Sequence, residues 1–481
     1  MISFKFLFLF VFFAVSSGKQ QKIKSAVIKR PNILLILADD LGYADLDWKD
    51  KSLFTPNLRK YAFSEGTAYL SNSYVNHLCT PTRSSLMTGY YPFRTGTQKG
   101  VFLQQERSGV PLDFPFLPQN LKKAGYKNYL VGKWHLGYCK KEFLPTSRGF
   151  DYFYGYYNAQ EGYFNHSLSF WDSNLKKMVG GLDLFREAGG KAVPDRTKNG
   201  VYSTHLFTSE VTRLLSKHNR KEPFFMFLSH QSVHAPLQVP PQYKRFCNPF
   251  LMNRIRQIYC GMLASMDESF GQVMKFLHTS GLYNDTIVIF SSDNGGDPKA
   301  GASNLPLRGQ KSTVWEGGTK TTTFIHAPKY ISKSGERKDL FHVVDWHSTI
   351  LGMAQIPLPK YGDGINQWQM ISTGVPGKLR RSEFVYNINP PLSAIRHGDY
   401  KLLYEAKDFS PKSFGRPMLF NLRMDPLEQK DLARKYPKFV RMLVNRLLRL
   451  QMSSRASVRT PYDERGNPAR FGGVFGTGWC R

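Results

Sequence analysis

Three short apolar runs limit the folds that this chain can adopt. Each has the length of a β-strand, and its apolar residues follow one another without alternation: Asn32–Leu37, Pro223–Ser229 and Asp285–Ser291. A strand with apolar side chains on both sides is buried on both faces, which is typical of a parallel sheet covered by helices. The sequence therefore predicts an α/β fold with a large, mostly parallel sheet between helices.

Polar residues follow each of these predicted strands. Asp39 and Asp40 come after the first run, His234 after the second, and Asp293 and Asn294 after the third. Since ligands gather at the carboxyl ends of strands in open α/β sheets, we expect these side chains to meet there. Adjacent buried carboxylates need a cation, and oxygen ligands favour Ca²⁺ or Mg²⁺ over zinc. The alternative for the first pair is a helix N-cap, but the second oxygen cluster favours a metal site.

A further candidate surrounds Cys79. Pro81 fits the first turn of a helix, Ser84–Thr88 continue that helix, and Gly89 is a natural end. Cys79 is thus predicted to lie just ahead of a helix N-terminus, where the backbone favours negative charge. Arg83, four residues later, can reach the same position. The pattern indicates a reactive side chain in an anion-binding cradle, and the alternative is a buried structural cysteine.

Other cations and aromatic rings complete the candidate site. Asn128–His135 is predicted to be a strand, on which Lys133 and His135 project from one face because they are two residues apart. A cation beside an imidazole suits an anionic substrate and proton transfer. Lys311 is a candidate second cation. The Tyr- and Phe-rich stretch Arg148–Asn165 is predicted to be a loop over the cleft, whose rings either stack on sugars or pack against the protein.

The pattern changes after about residue 376. Ala394–His397 and Tyr400–Tyr404 flank a Gly-Asp pair, which is a hairpin signal, and Met418–Leu422 adds a strand. Pro437–Gln451 has apolar residues at helical spacing and is predicted to pack on this sheet. We therefore predict a large domain at 19–375 and a small antiparallel-sheet domain at 376–481.

The N-terminus indicates the compartment. Residues 1–18 combine the basic Lys5, a short apolar core and a run of small residues, as in a secretory signal peptide. No later segment has about eighteen uninterrupted apolar residues, so no membrane span is predicted. The predicted location is therefore the secretory pathway, lysosomal or secreted.

The cysteines and sequons fit an oxidising compartment. If Cys79 is consumed by a modification, the other four cysteines can form two disulfides, and their pairing stays open. Asn165 and Asn284 each begin a glycosylation sequon. The four remaining cysteines are Cys139, Cys247, Cys260 and Cys480.

The chain is strongly basic, with a formal net charge of +30. Such a charge suggests a polyanionic partner: nucleic acid, an acidic membrane or a sulfated polysaccharide. The basic residues are scattered, and the sequence has no zinc-finger or RNA-recognition signature. Nucleic acid is therefore the least favoured of the three.

Two motifs carry a resemblance to a known family. Cys79–Arg83 (Cys-Thr-Pro-Thr-Arg), followed by Gly89–Gly96, resembles the signature of the type I sulfatases, and Gly132–Gly137 (Gly-Lys-Trp-His-Leu-Gly) is similar to their second motif. Ser232–Pro240 and Leu307–Lys311 place the resemblance closest to the arylsulfatase B (N-acetylgalactosamine-4-sulfatase) group. It implies an alkaline-phosphatase-like fold and hydrolysis of sulfate esters, either aryl sulfates or sulfated glycosaminoglycan sugars.

The resemblance also implies a modification, a metal and residue roles. It implies that a formylglycine-generating enzyme converts Cys79 to formylglycine before folding is complete. It assigns one Ca²⁺ to Asp39, Asp40, the modified Cys79, Asp293 and Asn294. It assigns catalytic or sulfate-binding roles to Arg83, Lys133, His135, His234 and Lys311, in addition to Cys79.

Two other functions stay open at this point. One is a hydrolase of the same superfamily that acts on phosphate esters or phosphonates. The other is a secreted glycosaminoglycan-binding protein with little catalysis, which the net charge of +30 suggests. Rates on aryl sulfate and aryl phosphate distinguish the two hydrolases, and metal-dependent turnover excludes the binding protein.

Overall fold

The structure is a computed structural model of the whole chain. The segment predicted to be a signal peptide lies outside the described residues. The structure describes residues 30–172, 176–248, 250–359, 362–389, 392–404 and 416–480.

The described residues form strands and helices in the following order. The strands are β1 (Asn32–Ala38), β2 (Thr67–Leu70), β3 (Ser73–Tyr74), β4 (Lys127–Lys133), β5 (Tyr152–Tyr156), β6 (Ser167–Asp172), β7 (Lys177–Leu182), β8 (Phe185–Ala188), β9 (Lys191–Pro194), β10 (Phe224–Ser229), β11 (Thr286–Ser292), β12 (Thr323–His326), β13 (Gly335–Arg337), β14 (Phe341–His342), β15 (Glu383–Asn389), β16 (Leu392–His397), β17 (Tyr400–Tyr404) and β18 (Met418–Asn421). The α-helices are α1 (Pro56–Ala62), α2 (Cys79–Thr88), α3 (Pro92–Thr95), α4 (Leu117–Lys123), α5 (Ser203–Ser216), α6 (Arg254–Thr279), α7 (Glu316–Thr319), α8 (Asp345–Met353), α9 (Trp368–Thr373) and α10 (Pro437–Gln451).

The main sheet has ten strands in the order β13-β2-β12-β11-β1-β10-β4-β5-β8-β9. Its centre, from β11 to β5, is entirely parallel, and antiparallel strands flank it on both sides. The three apolar runs are the three central neighbours β11, β1 and β10. The predicted mixed, mostly parallel sheet is therefore confirmed.

Strand β1 explains why its sequence is continuously apolar. Ile33, Leu35 and Leu37 pack in a core with residues of α2, α4 and α8. Leu34 and Ile36 point to the opposite face and pack with residues of α1, α5 and α6. Burying such a side chain contributes about 1.5–3 kcal/mol, so both faces of the strand are held between helices.

A separate four-stranded antiparallel sheet follows, in the order β15-β16-β17-β18. Val440, Leu443 and Leu447 of α10 are buried in the core of this sheet, as the sequence predicted. After α10 the chain returns to the large unit, where Phe475 and Trp479 join the core around β1. The small sheet is confirmed, and the division at residue 376 stays a prediction.

Three local predictions were wrong. Strand β4 ends at Lys133, and His135 has a positive φ of 60°, so the two side chains do not project from one extended face. The aromatic stretch from Arg148 is not one loop, because it includes strand β5 paired between β4 and β8. Helix α2 begins at Cys79 rather than after it. The first two differences involve tertiary contacts that the local pattern does not contain: the His135 N–H donates to the Tyr157 carbonyl, and β5 pairs with two strands.

The four other cysteines form two disulfides. They join Cys139 to Cys480 and Cys247 to Cys260, which leaves Cys79 as the free cysteine of the five, all of which are described. The first disulfide ties the last described residues to the large unit. Among the described residues, no helix is both long and apolar enough to cross a membrane.

Candidate active site

Helix α2 holds Cys79 in a fixed, buried position. All ten residues of α2 are buried, and Gly89 ends the helix in a left-handed conformation with a φ of 75°. The Thr82 hydroxyl accepts a hydrogen bond from the Asn76 N–H at 3.0 Å, and the Thr80 hydroxyl donates to the His135 carbonyl. These bonds anchor the first turn, so the side chain at position 79 has little freedom.

Two parallel strands bring the acidic residues together. Strands β1 and β11 are in register, with Ala38 opposite Ser292, so the polar residues that follow each strand become neighbours. The Asp40 N–H donates to Asp293 Oδ1 at 3.3 Å, and Asn294 Nδ2 donates to Asp40 Oδ1 at 2.6 Å. The side chains predicted from the two strand ends therefore form one cluster.

This cluster has the chemistry of a site for a hard cation. Ligand atoms of Asp39, Asp40, Cys79 and His234 all lie within 4.8 Å of one another. Asn294 Oδ1 is buried and has no hydrogen-bond partner among the described residues. A buried carbonyl oxygen without a donor is costly, and a bound cation satisfies it. The donor set is rich in oxygen, which fits Ca²⁺ or Mg²⁺.

Asp39 is a fully buried member of the cluster. Lys133 Nζ donates to Asp39 Oδ2 at 2.6 Å, and Arg83 Nη2 lies 3.8 Å from the same oxygen. Burial, followed by the nearby Asp293 carboxylate, still raises the pKa of Asp39 to about 7. The two cations therefore do not fully compensate the carboxylates, and additional positive charge would be stabilised there.

Asp40 faces the opening of the site. Lys311 Nζ donates to Asp40 Oδ2 at 2.6 Å, and His234 Nε2 lies 3.5 Å from that oxygen. Burial opposes ionisation, but His234 and Lys311 together lower the pKa of Asp40 to about 2. The side chains of Lys311 and His234 are 16% and 10% exposed, whereas that of Lys133 is fully buried. Lys311 and His234 thus line the side of the site that solvent reaches.

The buried Arg83 side chain forms hydrogen bonds to three other residues of the site. Its guanidinium donates to Asp293 Oδ2 at 2.9 Å, to Ser229 Oγ at 2.6 Å and to the Lys133 carbonyl at 3.2 Å. Ser229 did not appear among the candidates from sequence. The available signal was its position, because it is the last residue of β10 and so lies at the carboxyl edge of the sheet.

Two buried imidazoles of the site each place one ring nitrogen against a backbone carbonyl. His135 Nε2 lies 2.9 Å from the Phe102 carbonyl, and its Nδ1 has no partner in the part of the chain that the structure describes. His234 Nδ1 lies 2.6 Å from the Ala235 carbonyl. In each neutral ring the nitrogen beside the carbonyl carries the proton, which leaves His135 Nδ1 and His234 Nε2 as acceptors. Burial lowers the pKa of both, to about 4 for His234.

Cys79 itself is a poor nucleophile as a thiol. It is 2% exposed, and its Sγ lies 3.7 Å from Asp39 Oδ1. Burial raises the pKa of the thiol, so it stays protonated at neutral pH. The thiolate is the reactive form of cysteine, so the unmodified residue does not suit nucleophilic attack.

The structure brings the sequence-derived candidates into one place. Asp39, Asp40, Cys79, Arg83, Lys133, His234, Asp293, Asn294 and Lys311 are joined by the contacts above, and His135 is fixed beside them through Phe102 and Thr80. The aromatic residues after Arg148 behave differently. Tyr154, Tyr156, Tyr157 and Tyr163 are buried, at 2% exposure or less, so they pack the protein and do not form the wall of an open cleft.

The fold and the site together define a class of protein: an α/β protein in which an acidic, oxygen-rich cluster, suited to a metal ion, is surrounded by fixed cationic side chains. The sulfatase family model matches residues 31–356, so the chain belongs to the sulfatase family, whose members are sulfuric ester hydrolases.

Individual relatives agree with this assignment. Arylsulfatase J of Mus musculus is 36% identical over 496 residues, which covers 94% of this chain and 81% of that protein. N-acetylgalactosamine-6-sulfatase of Mus musculus is 31% identical over 448 residues, which covers 84% of this chain and 82% of that one. The crystal structure of Ps i-CgsB superimposes with a TM-score of 0.77 at 29% identity, covering 89% of this chain and 94% of that chain. The alkaline-phosphatase-like fold that the resemblance implied is confirmed.

Proposed function

We propose that this protein hydrolyses sulfate esters of sugars or aryl groups, with a formylglycine made from Cys79 and one bound Ca²⁺. The observation that carries the proposal is the convergence of three carboxylates and three cations on position 79. The sulfatase relatives support the reaction class, and the buried geometry supports the two accessory groups.

The cation would be held by side chains from both strand ends. Asp39 and Asp40, after β1, and Asp293 and the unpartnered oxygen of Asn294, after β11, would be its ligands, together with residue 79. When bound, Ca²⁺ supplies positive charge that stabilises the sulfuryl oxygens as charge develops on them. The raised pKa of Asp39, which burial and the nearby Asp293 carboxylate cause, supports a site that is short of positive charge.

Formylglycine would provide the nucleophile that the thiol of Cys79 does not provide. The buried thiol stays protonated, whereas a hydrated aldehyde at the same carbon supplies one hydroxyl for attack and a second that permits release of sulfate. The modification requires a formylglycine-generating enzyme during maturation. Since residue 79 is 2% exposed in the folded protein, that enzyme has to act before folding is complete.

The chain's own residues have separable roles in this proposal. Lys133 and Arg83, both buried, form ion pairs with Asp39 and Asp293 and hold these carboxylates in place. Lys311, the most exposed of the three cations, binds a sulfuryl oxygen at the entrance. These charges are in place before the reaction, so no reorganisation is needed as the transition state forms.

The two imidazoles would move protons in different steps of the reaction. His234 is neutral without substrate, and an anionic sulfate ester beside it would raise its pKa, so that Nε2 can carry a proton to the leaving alcohol. His135 Nδ1, which is buried and has no partner among the described residues, would accept a proton when sulfate is released. Asp40 Oδ2 lies 3.5 Å from His234 Nε2 and would stabilise the proton when that nitrogen carries it.

The substrate class follows from charge and relatives. The net charge of +30 suits a polyanionic carbohydrate, and one relative is a sulfatase of N-acetylgalactosamine 6-sulfate by name. We propose a sulfated glycosaminoglycan-type sugar as the natural substrate. The predicted signal peptide and the exposed sequon residues Asn165 and Asn284 support a secreted or lysosomal glycoprotein.

The test combines mass spectrometry with rate measurements. Protein co-expressed with a formylglycine-generating enzyme should contain the aldehyde in the peptide that includes Cys79, and it should hydrolyse 4-nitrophenyl sulfate faster than 4-nitrophenyl phosphate. Protein expressed without that enzyme is the matched control and should be inactive. A faster rate on the phosphate would favour a phosphate or phosphonate hydrolase, and turnover by unmodified protein would contradict the formylglycine mechanism.

A further inference from the structure

We infer that the exposed face of helix α10 is a binding surface for a sulfated polysaccharide chain, separate from the candidate active site. The helix packs on the small antiparallel sheet, and none of the residues described at the candidate active site belongs to it. The inference goes beyond the proposed function and does not rest on it, because it concerns binding of the chain and not its hydrolysis.

The sequence of α10 separates apolar residues from basic ones. Pro437–Gln451 contains four basic residues and no acidic residue. The three buried residues of the helix named above pack in the core of the small sheet, whereas Lys438, Arg441 and Arg449 are exposed. Because an α-helix has about 3.6 residues per turn, these three residues share the side of the helix opposite to the buried residues.

Lys438, Arg441 and Arg449, here called the basic row, extend along the helix. The first and the last are eleven residues apart in the chain, which is about three turns and about 16 Å along the helix axis. Arg434 and Lys435, shortly before the helix, are also exposed. A row of this length exceeds the size of a single small anion, and it suits a linear chain that carries repeated negative charges.

The charges of the basic row are available to a ligand. The fourth basic residue of the helix, Arg446, forms an ion pair with Glu383 of strand β15 at 2.9 Å. No ion pair joins the basic row to a carboxylate among the described residues. Arg446 is therefore compensated within the protein, and the basic row is the part of the helix that an external anion can neutralise.

The surroundings favour a sulfated polysaccharide over other polyanions. A helix that lies on a membrane buries its apolar face in lipid, but the apolar face of α10 is already packed in the core of the small sheet. Nucleic acid fits poorly with the predicted secretory signal peptide. Two members of the basic row are arginines, and the planar guanidinium group matches the geometry of an oxyanion such as a sulfate group.

The test measures binding of the full-length protein to immobilised chondroitin 4-sulfate. The protein is expressed without a formylglycine-generating enzyme, so that turnover does not consume the chain. The triple variant Lys438→Gln, Arg441→Gln and Arg449→Gln should bind about a hundredfold more weakly at low ionic strength, about fivefold for each charge. Added salt should weaken binding of the wild type, because exposed charges are screened. The same chain without its sulfate groups should bind about tenfold more weakly.

A comparison within the helix separates the basic row from its compensated neighbour. Arg441→Gln and Arg446→Gln remove the same charge from the same helix. The first should weaken binding about fivefold, and the second by less than about twofold, since an exposed ion pair contributes little. Equal losses in the two variants would contradict the assignment of the basic row as the binding surface.

A second triple variant controls for net charge. Lys60→Gln, Lys123→Gln and Lys191→Gln remove three exposed charges from α1, α4 and β9 and should retain most of the affinity. Equal losses in the two triple variants would overturn the inference, and so would binding to anionic phospholipid vesicles without binding to the polysaccharide. All variants should unfold at the wild-type temperature. Formylglycine-containing protein with the basic row replaced should hydrolyse 4-nitrophenyl sulfate at the wild-type rate, so failure of the proposed function leaves the binding result intact.

Discussion

The molecule contains two buried charge clusters that are alike in composition and different in completeness. One is the candidate active site around Cys79. The other, here called the joint cluster, connects the large unit to the small sheet and consists of Tyr74, Glu316, Tyr386, Lys401 and Glu428. Lys401 Nζ lies 3.0 Å from Glu316 and 2.8 Å from Glu428, and both tyrosine hydroxyls donate to Glu316.

The two clusters differ in whether their buried polar atoms have hydrogen-bond or ion-pair partners. In the joint cluster the cation lies between its two carboxylates, and both oxygens of Glu316 accept hydrogen bonds from tyrosine. In the active site the Asn294 oxygen and His135 Nδ1 have no partners among the described residues, whereas Glu428 Oε1 of the joint cluster, which also accepts no hydrogen bond, lies 2.8 Å from Lys401 Nζ. Burial raises the pKa of one carboxyl group in each cluster, Asp39 and Glu428, so the pKa does not separate them. Buried ion clusters are therefore not by themselves signs of function. Incomplete satisfaction at the carboxyl edge of the sheet distinguishes the active site.

The largest expected effect comes from replacing Cys79, the residue proposed to be modified. Cys79→Ser should lower turnover of sulfate esters by at least about a thousandfold, because a serine lacks the second hydroxyl that releases sulfate. The variant should unfold at the same temperature as the wild type, since the substitution is small and breaks no ion pair. A steady-state assay measures the first, and thermal unfolding measures the second. Multiple turnovers by the serine variant would contradict the mechanism.

Removing the cation of the joint cluster should lower the stability of the protein and leave its activity unchanged. Lys401→Met leaves the Glu316 and Glu428 carboxylates buried without their cation, which should cost about 3–5 kcal/mol in the free energy of unfolding. Chemical denaturation measures this change, and kcat of the protein that remains folded should be unaltered. Lys338→Met is the matched control, because that side chain is 79% exposed and its removal should cost little. A large loss of kcat in the folded Lys401 variant would erase the contrast between the clusters.

Metal binding provides a third test of the contrast. Ca²⁺ at about 100 times its Kd should stabilise the protein by about 2.7 kcal/mol, and a chelator should reverse this gain, as measured by thermal unfolding. Asp293→Asn removes a proposed ligand and should abolish the response, whereas Asp399→Asn, a surface carboxylate of the small sheet, should retain it. Thermal unfolding of the wild type that does not respond to Ca²⁺ would contradict the proposed metal site.

The smallest effect concerns a buried pair that belongs to neither cluster, Glu161 and His166, whose Oε1 and Nδ1 lie 3.2 Å apart. Burial raises the pKa of Glu161 to about 6, and the bond to Glu161 outweighs burial and raises the pKa of His166. In the folded state both groups keep protons that the unfolded chain has lost. Their contribution to stability is therefore present at acidic pH and is lost as pH rises from about 4.5 to above 6.5.

Glu161→Gln isolates this contribution. The difference in unfolding free energy between wild type and variant should change by about 2 kcal/mol between pH 4.5 and pH 7.5, with the wild type relatively more stable at the acidic end. Urea denaturation at both pH values measures it. A difference that is independent of pH, or one of opposite sign, would show that the pair does not titrate in this way.

Much of the site could be predicted from sequence because its residues follow recognisable strands. Asp39 and Asp293 each come directly after a continuously apolar run, and this local pattern is sufficient to place them at one edge of a sheet. Ser229 was missed because a serine after an apolar run carries no distinctive signal until Arg83 is seen beside it. The direction of His135 was wrong because its positive φ is not encoded in residue spacing.

The sequence by itself determined the layers of the fold, the small second sheet and the set of chemically capable side chains. Burial on both faces and helical spacing are local properties, so a single segment is enough to reveal them. Only the tertiary structure decided the strand order, the two disulfide pairs and the pairing of Glu316 with Lys401, which are 85 residues apart in the chain. Such contacts depend on which distant segments come together as the core packs, and many pairings are compatible with the same local pattern.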